Sequence, residues 1–505
     1  MVVLEVLTVT RRLVLAALII SVFIVQFLLQ PDSLFPGDAN AIRMESRYLI
    51  QHHTIGIPPE HKEFIDPGFL QPTSYENQYF WENKDSGKLY SRWGVANTIL
   101  YAIPIYLAKR GIISTEFDGL NILNTILTAL LAAGIFMIAS NFRVRPLYAS
   151  VLSIVLIYGT YIFFYTRAQT VEIFHLTILS WCFVLFQKLN NLLPDAMEQR
   201  SLRSVFWNLH SAAILILLLV LSKIYFIVFA GLLFLSLWWR RWTSTRFYWG
   251  AGLSMMILFG CLLAVLLLND LKFGSIWQTG LGPAGPMIPT DWFALSHFAD
   301  SIPGYLWHPK YALATHMVPG ALGLLVSPRI WRHFPRETFL GVGFFFSTLI
   351  VAGGWKGFSG EWCYGPRYMI QPLFIMACLS FPLADAALFP KLNARRHGII
   401  FFSVTLAILI FGGRREFYRS YFDFFADKQV EAVLQRLPGS EIAKARWRDV
   451  SNPQFLMSFY DLCTRRDGQL SEDFLVGLQN VAEPDRSKTA QYILSYCPRN
   501  FRYLK

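Results

Sequence analysis

The chain has 505 residues, 54% of them hydrophobic and 16% aromatic but only 15% charged, with a mean hydropathy of +0.40. Soluble domains carry roughly 25% charged residues, so this composition excludes a string of water-soluble domains and points to a polytopic membrane protein. The formal net charge of +12 sits in short loops between apolar runs, which reads as membrane topology and not as a nucleic-acid-binding surface.

Arg11-Arg12 precede the first apolar run, 13–29, and Gln30-Pro31-Asp32 follow it without a small-x-small cleavage site, so the run reads as an uncleaved anchor. Further spans of about 20 residues, the length that crosses roughly 30 Å of hydrocarbon, are predicted at 119–140, 147–165, 171–187, 205–221, 224–239, 247–268, 311–327, 338–353, 368–386 and 398–412. The run 205–239 is too long for one helix, and Ser222-Lys223 is its natural break. The segment 95–107 is short and contains Pro104, so it reads as a helix lying in the interface.

Eleven spans with the N-terminus inside give basic inner loops throughout. These carry Arg143 and Arg145; Lys188, Arg200 and Arg203; Arg240, Arg241 and Arg246; Arg329, Arg332 and Arg336; and Lys391, Arg395 and Arg396. The expected fold is an all-α polytopic membrane protein. A transmembrane unit, 1–412, has a long first outer loop, 30–118, bearing interfacial helices. A small C-terminal extramembrane region, 413–505, follows on the outer side. Cys463 and Cys497 both fall in that tail, where a disulfide would suit an oxidising compartment. Cys182, Cys261 and Cys378 lie in spans and read as core residues.

The outer loops collect ionisable residues at membrane depth, where charge is costly and marks function. Asp38 follows the first span in Pro36-Gly37-Asp38-Ala39-Asn40; Arg43, Glu45, Arg47, Lys84, Lys88 and Arg92 share its loop. Arg167 and Glu172 belong to the second outer loop, Lys223 interrupts an apolar run, and Arg367 closes Glu361-Trp-Cys-Tyr-Gly-Pro-Arg367. A carboxylate among cations suits displacement at a sugar anomeric carbon with a lipid phosphate leaving. The carboxylate takes the acceptor's proton, and Arg and Lys offset the charge that develops on the phosphate. Plainer readings exist for each. A loop carboxylate is usually solvated, Glu172 suits a helix N-terminus, Lys223 suits snorkelling, and Arg167 suits a helix-end anchor. His52-His53 reads as a wet loop pair. Glu172 and His175 have the Glu-x-x-His spacing of di-iron bundles, but no second such motif accompanies them, and no metal site is expected.

Four stretches resemble the GT-C class of membrane glycosyltransferases, and most closely its protein O-mannosyltransferase and aminoarabinose transferase group. They are Gly37-Asp38 with Arg47-Tyr48-Leu49 and Gly56; Gly87-Lys-Leu-Tyr-Ser-Arg92-Trp-Gly-Val with Pro104; Tyr165-Thr-Arg167 with Glu172; and Tyr364-Gly-Pro-Arg367-Tyr. Asn269 with Phe273-Gly-Ser-Ile and Thr279-Gly280 is a weaker match. The resemblance implies Asp38 as catalytic base, Glu172 as a supporting acid, and donor-phosphate contacts from Arg92, Lys223 and Arg367, with Arg167 as the second-loop arginine. No acidic residue directly follows Asp38, and Glu stands at 172 where the group more often has Asp. Both departures weigh against a bound divalent metal, and no cofactor is implied. The Trp-Trp-Asp signature of oligosaccharyltransferases is absent from the tail, which argues against that branch.

The expected protein is thus a polyprenyl-phosphate-sugar-dependent glycosyltransferase of the bacterial inner membrane, with its site facing the periplasm. Its partners would be a polyprenyl-phosphate-linked sugar, a glycan, lipid or protein acceptor, and the bilayer, with no nucleic acid. The alternatives are a transporter or lipid-linked sugar flippase, and a non-catalytic subunit of an envelope complex. Transporters place ionisable groups at mid-membrane beside broken helices and inverted repeats. Here the charges sit at outer helix ends, and no repeat is visible.

Overall fold

The computed structural model describes residues 2–30, 38–65, 80–83, 85–168, 170–196, 202–239, 245–276, 294–307, 312–354, 366–384 and 394–413. The tail from 414, with Cys463 and Cys497, lies outside these residues, as do Lys84, Thr279-Gly280, the 361–365 part of the late motif and the side chain of Asp38.

The described chain is almost wholly helical. Eight helices are long and apolar enough to cross a membrane: Val9–Leu28, Glu116–Asn141, Val171–Leu192, Ser204–Ser222, Gly250–Phe273, Pro335–Gly353, Arg367–Ala384 and Arg396–Gly413. The other three expected spans fall on the shorter apolar helices Pro146–Tyr158, Phe226–Trp238 and Val318–Ile330. Two of those three are interrupted. The expected span 147–165 divides at Gly159–Tyr161, where the Tyr161 N–H leaves the helical ladder and donates to the His316 carbonyl at 3.1 Å, and Ile162–Arg167 continues as a separate short helix. The expected span 311–327 starts as a single turn, Leu313–His316, and restarts at Val318 with Pro319 in its first turn. Proline has no N–H to donate, and the first turn of a helix requires none.

Val95–Lys109 forms a 15-residue helix in place of the expected 95–107 segment. Ala96, Asn97, Thr98, Tyr101, Ala102 and Ile105 face inward, while Ile99, Ile103 and Tyr106 form an exposed apolar stripe. One element departs from an all-α architecture. Phe80–Glu82 and Leu89–Ser91 pair antiparallel, with Trp81 opposite Tyr90, and Ile57 adds a bridge to Leu89. The connecting turn has Gly87 at φ +65°, and the Asn83 side-chain oxygen accepts from the Asp85 and Ser86 N–H groups at 2.9 and 3.1 Å. Three-residue strands are too short to leave an alternation that stands out from the surrounding loop.

Small residues let the backbones approach, as expected where helices pack without a hydrophobic force between them. On Val318–Ile330, a Cβ at Gly323 would lie 1.7 Å from the Met376 carbonyl oxygen, and one at Gly320 would lie 2.8 Å from that of Leu373. Gly323→Ala is therefore expected to push the two helices apart and lower stability by about 1–3 kcal/mol, read as earlier thermal unfolding in detergent. Gly231→Ala, where nothing lies within 4 Å of the added carbon, serves as the control and should unfold like the parent chain.

Candidate functional site

The short helix Ile162–Arg167 ends inside the bundle, and its end is held by amides. The Thr166 carbonyl accepts from Gln26 Nε2 at 2.9 Å, from Gln30 Nε2 at 3.1 Å and from Asn124 Nδ2. Gln26 comes from the first span, Gln30 from just past its end and Asn124 from Glu116–Asn141. Backbone groups released by a helix end within hydrocarbon must find partners inside the protein, and these three amides meet that need. The chain then re-enters a helix at Val171, with Glu172 in its first turn.

Glu172 is fully buried, and its Oε1 accepts from Arg367 Nε at 2.6 Å and from Lys223 Nζ at 3.5 Å. Three segments distant in sequence meet in this contact. Lys223 stands in the turn between Leu202–Ser222 and Phe226–Trp238, and Arg367 opens a single 3-10 turn after Pro366. Pro366 is itself tied to the helix break at 161, its carbonyl accepting from Tyr161 Oη at 3.4 Å. A buried carboxylate is tolerable only when paired and hydrogen-bonded. The side chains are graded outward: Glu172 is 0% exposed, Arg367 11% and Lys223 20%. The acid lies sealed while the two cations keep an open side.

The Lys223 turn is held from behind. His175, one turn after Glu172, meets Ser222 Oγ through Nε2, and Ser222 Oγ donates to Asn97 Oδ1 at 2.5 Å. Glu172 and His175, whose spacing has the form of a metal-ligand pair, thus turn to different partners. Among the described residues, no group of three or more His, Cys, Asp or Glu could hold a metal ion. Gly94, the residue before Val95–Lys109, packs directly on this turn. A Cβ there would lie 2.0 Å from the Leu221 carbonyl oxygen and 2.5 Å from that of Ser222. Arg92 is two residues from this contact, its guanidinium carbon 5.6 Å from the centre of the Trp93 ring.

Asp38 opens the helix Asp38–His52. Its neighbour Ala39 lies in the same buried apolar cluster as Trp93 and Val171, the neighbours of Arg92 and Glu172. Chain adjacency through this cluster brings the Asp38, Arg92 and Glu172 positions to one end of the bundle, and direct ion pairs add Lys223 and Arg367. Arg167 is 3% exposed, with its guanidinium carbon 4.1 Å from the centre of the Phe163 ring. Arg43 and Arg47, the other cations of the Asp38 helix, both meet Glu116 at 3.1 Å.

Several polar groups around the site carried little signal in the sequence. Gln26 interrupts an otherwise apolar span, and Gln30 follows two residues after the helix ends at Leu28. Asn97 sits within an apolar helix, and Lys272 is the lone cation in the last turn of Thr245–Phe273. Glu45 is recognisable as ionisable, but nothing in its spacing indicates that it is buried.

No family model and no curated protein matches the chain. Among solved structures it is similar to the archaeal oligosaccharyltransferase AglB from Archaeoglobus fulgidus, solved in complex with an inhibitory peptide and a dolichol-phosphate. The TM-score is 0.51 at 12% identity, and the match covers 86% of this chain and 59% of that one. The chain thus spans about three-fifths of the length of that neighbour. The likeness shows that the two chains share a fold.

Proposed function

We propose that the protein transfers a monosaccharide from a polyprenyl-phosphate donor to an acceptor at the outer face of a bacterial inner membrane. The observation that carries this reading is the sealed Glu172 beneath two partly open cations, Lys223 and Arg367. Two cations of the kinds that bind phosphate, a lysine and an arginine, meet here at helix termini, an arrangement suited to a lipid-borne phosphate. The dolichol-phosphate bound to the neighbour AglB supports a polyisoprenoid phosphate as the ligand class.

In the proposed reaction the Asp38 carboxylate takes the proton from the acceptor nucleophile. The nucleophile's lone pair forms a bond to the anomeric carbon as the bond from that carbon to the phosphate oxygen breaks. The bonding pair stays on the phosphate, where Arg92, Lys223 and Arg367 offset its charge, with Arg167 adding to the positive potential. A phosphate leaves readily, so no separate acid is needed. Attack opposite the leaving group inverts the anomeric configuration. Glu172, having no exposed surface, supports the reaction by holding Lys223 and Arg367.

The competing transporter reading requires charges lining a path at mid-membrane. The Glu172 group instead joins helix termini: the first turn of Val171–Ala196, the turn at Lys223 and the start of the Arg367 turn. The test is release of free polyprenyl phosphate from a panel of polyprenyl-phosphate sugars, using membranes that contain the protein and an acceptor-rich extract. Release that depends on the protein is expected for one donor class. No release across the whole panel would favour the transporter.

A further inference from the structure

Glu45 and Lys272 form a second buried charge pair, separate from Glu172. Their side chains are 1% and 4% exposed, and Lys272 Nζ stands 3.8 Å from Glu45 Oε1. Replacing such pairs by apolar groups is often neutral or stabilising, so the pair calls for a reason other than stability.

The contacts around the pair converge on the two neighbours of Arg92. Glu45 accepts from the Ser91 N–H at 3.1 Å and from Ser91 Oγ at 2.5 Å. Its Oε2 also takes Thr98 Oγ1 at 2.6 Å. Lys272 donates to the Trp93 carbonyl at 2.7 Å. Residue 91 is therefore fixed by the acid and residue 93 by the base, and Arg92 stands between two anchored peptides. Thr98 and the adjoining Asn97 carry the linkage onward. Asn97 accepts from Ser222 Oγ, directly before Lys223. Phe80–Glu82, the partner strand of Leu89–Ser91, and the residue after it are docked on the same helix end. Asn83 Nδ2 donates to the Leu271 carbonyl at 3.2 Å, and Trp81 meets Phe273 edge to face.

We propose that Glu45 and Lys272 are positioning residues that act through Arg92, fixing the backbone from which its guanidinium reaches the donor phosphate. This rests on the reading of Arg92 as a phosphate contact. The pair couples the first outer loop to the end of the Thr245–Phe273 span, so the distance from Arg92 to Lys223 is set by charge and not by loop length. A charged pair suits this purpose because its hydrogen bonds are directional, whereas apolar packing of the same volume would let residues 91–93 shift.

The experiment measures binding of polyprenyl monophosphate to the full-length protein in nanodiscs, with dephosphorylated polyprenol as the reference. It compares Arg92→Ala, Glu45→Gln, Ser91→Ala, and each of the last two combined with Arg92→Ala. Arg92→Ala and Glu45→Gln are each expected to weaken polyprenyl monophosphate binding about tenfold, the loss of one hydrogen bond to a charged group. Ser91→Ala, which leaves the charge pair intact, should weaken binding severalfold. Each double variant should bind no more weakly than Arg92→Ala alone, because neighbours that act through Arg92 have nothing left to position once it is gone. Polyprenol binding should not change.

Multiplying effects would overturn the proposal, since they would mean that Glu45 acts independently of Arg92. Normal binding by Glu45→Gln and Ser91→Ala beside weakened binding by Arg92→Ala would overturn it while leaving the phosphate reading intact. Normal binding by Arg92→Ala would remove both. If Glu45→Gln does not fold, the Ser91→Ala pair of variants decides alone on the same criteria.

Discussion

Asp38→Asn is expected to lower sugar transfer by about 10²- to 10⁴-fold, the contribution of a positioned general base, with little change in expression or thermal unfolding. The substitution keeps the side chain's size and removes only its capacity to take a proton. Among the described contacts that anchor this end of the helix, Ala39, Ala41 and Ile42 are each 0% exposed, and Ser46 donates back to the Ile42 carbonyl at 2.7 Å and to that of Thr98 at 2.8 Å. None of these contacts involves a charge at position 38. The measurement is release of polyprenyl phosphate in membranes with matched protein levels. Turnover close to that of the parent chain would remove Asp38 from the chemistry and favour a non-catalytic role in an envelope complex. Binding of polyprenyl monophosphate should survive the substitution, because the proposed phosphate contacts are all cationic.

Glu172→Gln should affect both stability and function. Removing one partner of a buried ion pair costs about 3–5 kcal/mol, because the remaining charge is left without compensation. Here a single carboxylate oxygen serves both Arg367 and Lys223, so two cations lose a charged partner together. The expected result is markedly earlier thermal unfolding, with transfer lost even at temperatures where the fold persists. Glu172→Asp keeps the charge and shortens the reach by one methylene, so it should recover most of the stability and part of the activity. A double change, Glu172→Gln with Lys223→Met, also removes one of the two cations that face position 172. It should unfold later than Glu172→Gln alone and yet remain inactive, since the open cation has gone too. If Glu172→Gln unfolds like the parent chain, the carboxylate does not hold the two cations, and the support assigned to it is wrong.

The placement of the candidate residues was partly legible in the chain. Glu172, Lys223 and Arg367 stand out because a charge next to an apolar run is costly in a membrane, and hydropathy alone puts them at the ends of helices. That Lys223 and Arg367 meet on one oxygen of Glu172 was not legible, since 51 and 195 residues of chain separate them from it. Glu45 shows the reverse limit. In the sequence it is one acid among the arginines of a polar loop, and only folding buries it against Lys272, far along the chain. Gln26 looks like a small flaw in an apolar span, and Gln30 like its polar flank, until the Thr166 carbonyl that they serve is seen.

Composition and hydropathy by themselves determined that the chain is a bundle of membrane-length helices, because roughly 20 apolar residues are what a bilayer accepts. Short motifs pointed to the GT-C class. Only the tertiary structure decided where helices stop within the bundle, as at Tyr161 and Met317, and which charges share a partner. The physical reason is one of range. The cost of exposing a polar group to lipid is fixed locally by each residue, whereas the partner that satisfies a helix end or a buried charge comes from whichever distant segment packs beside it. In this protein those distant partners, joining Asp38–His52, Val95–Lys109, Lys223 and Arg367, make up the candidate site.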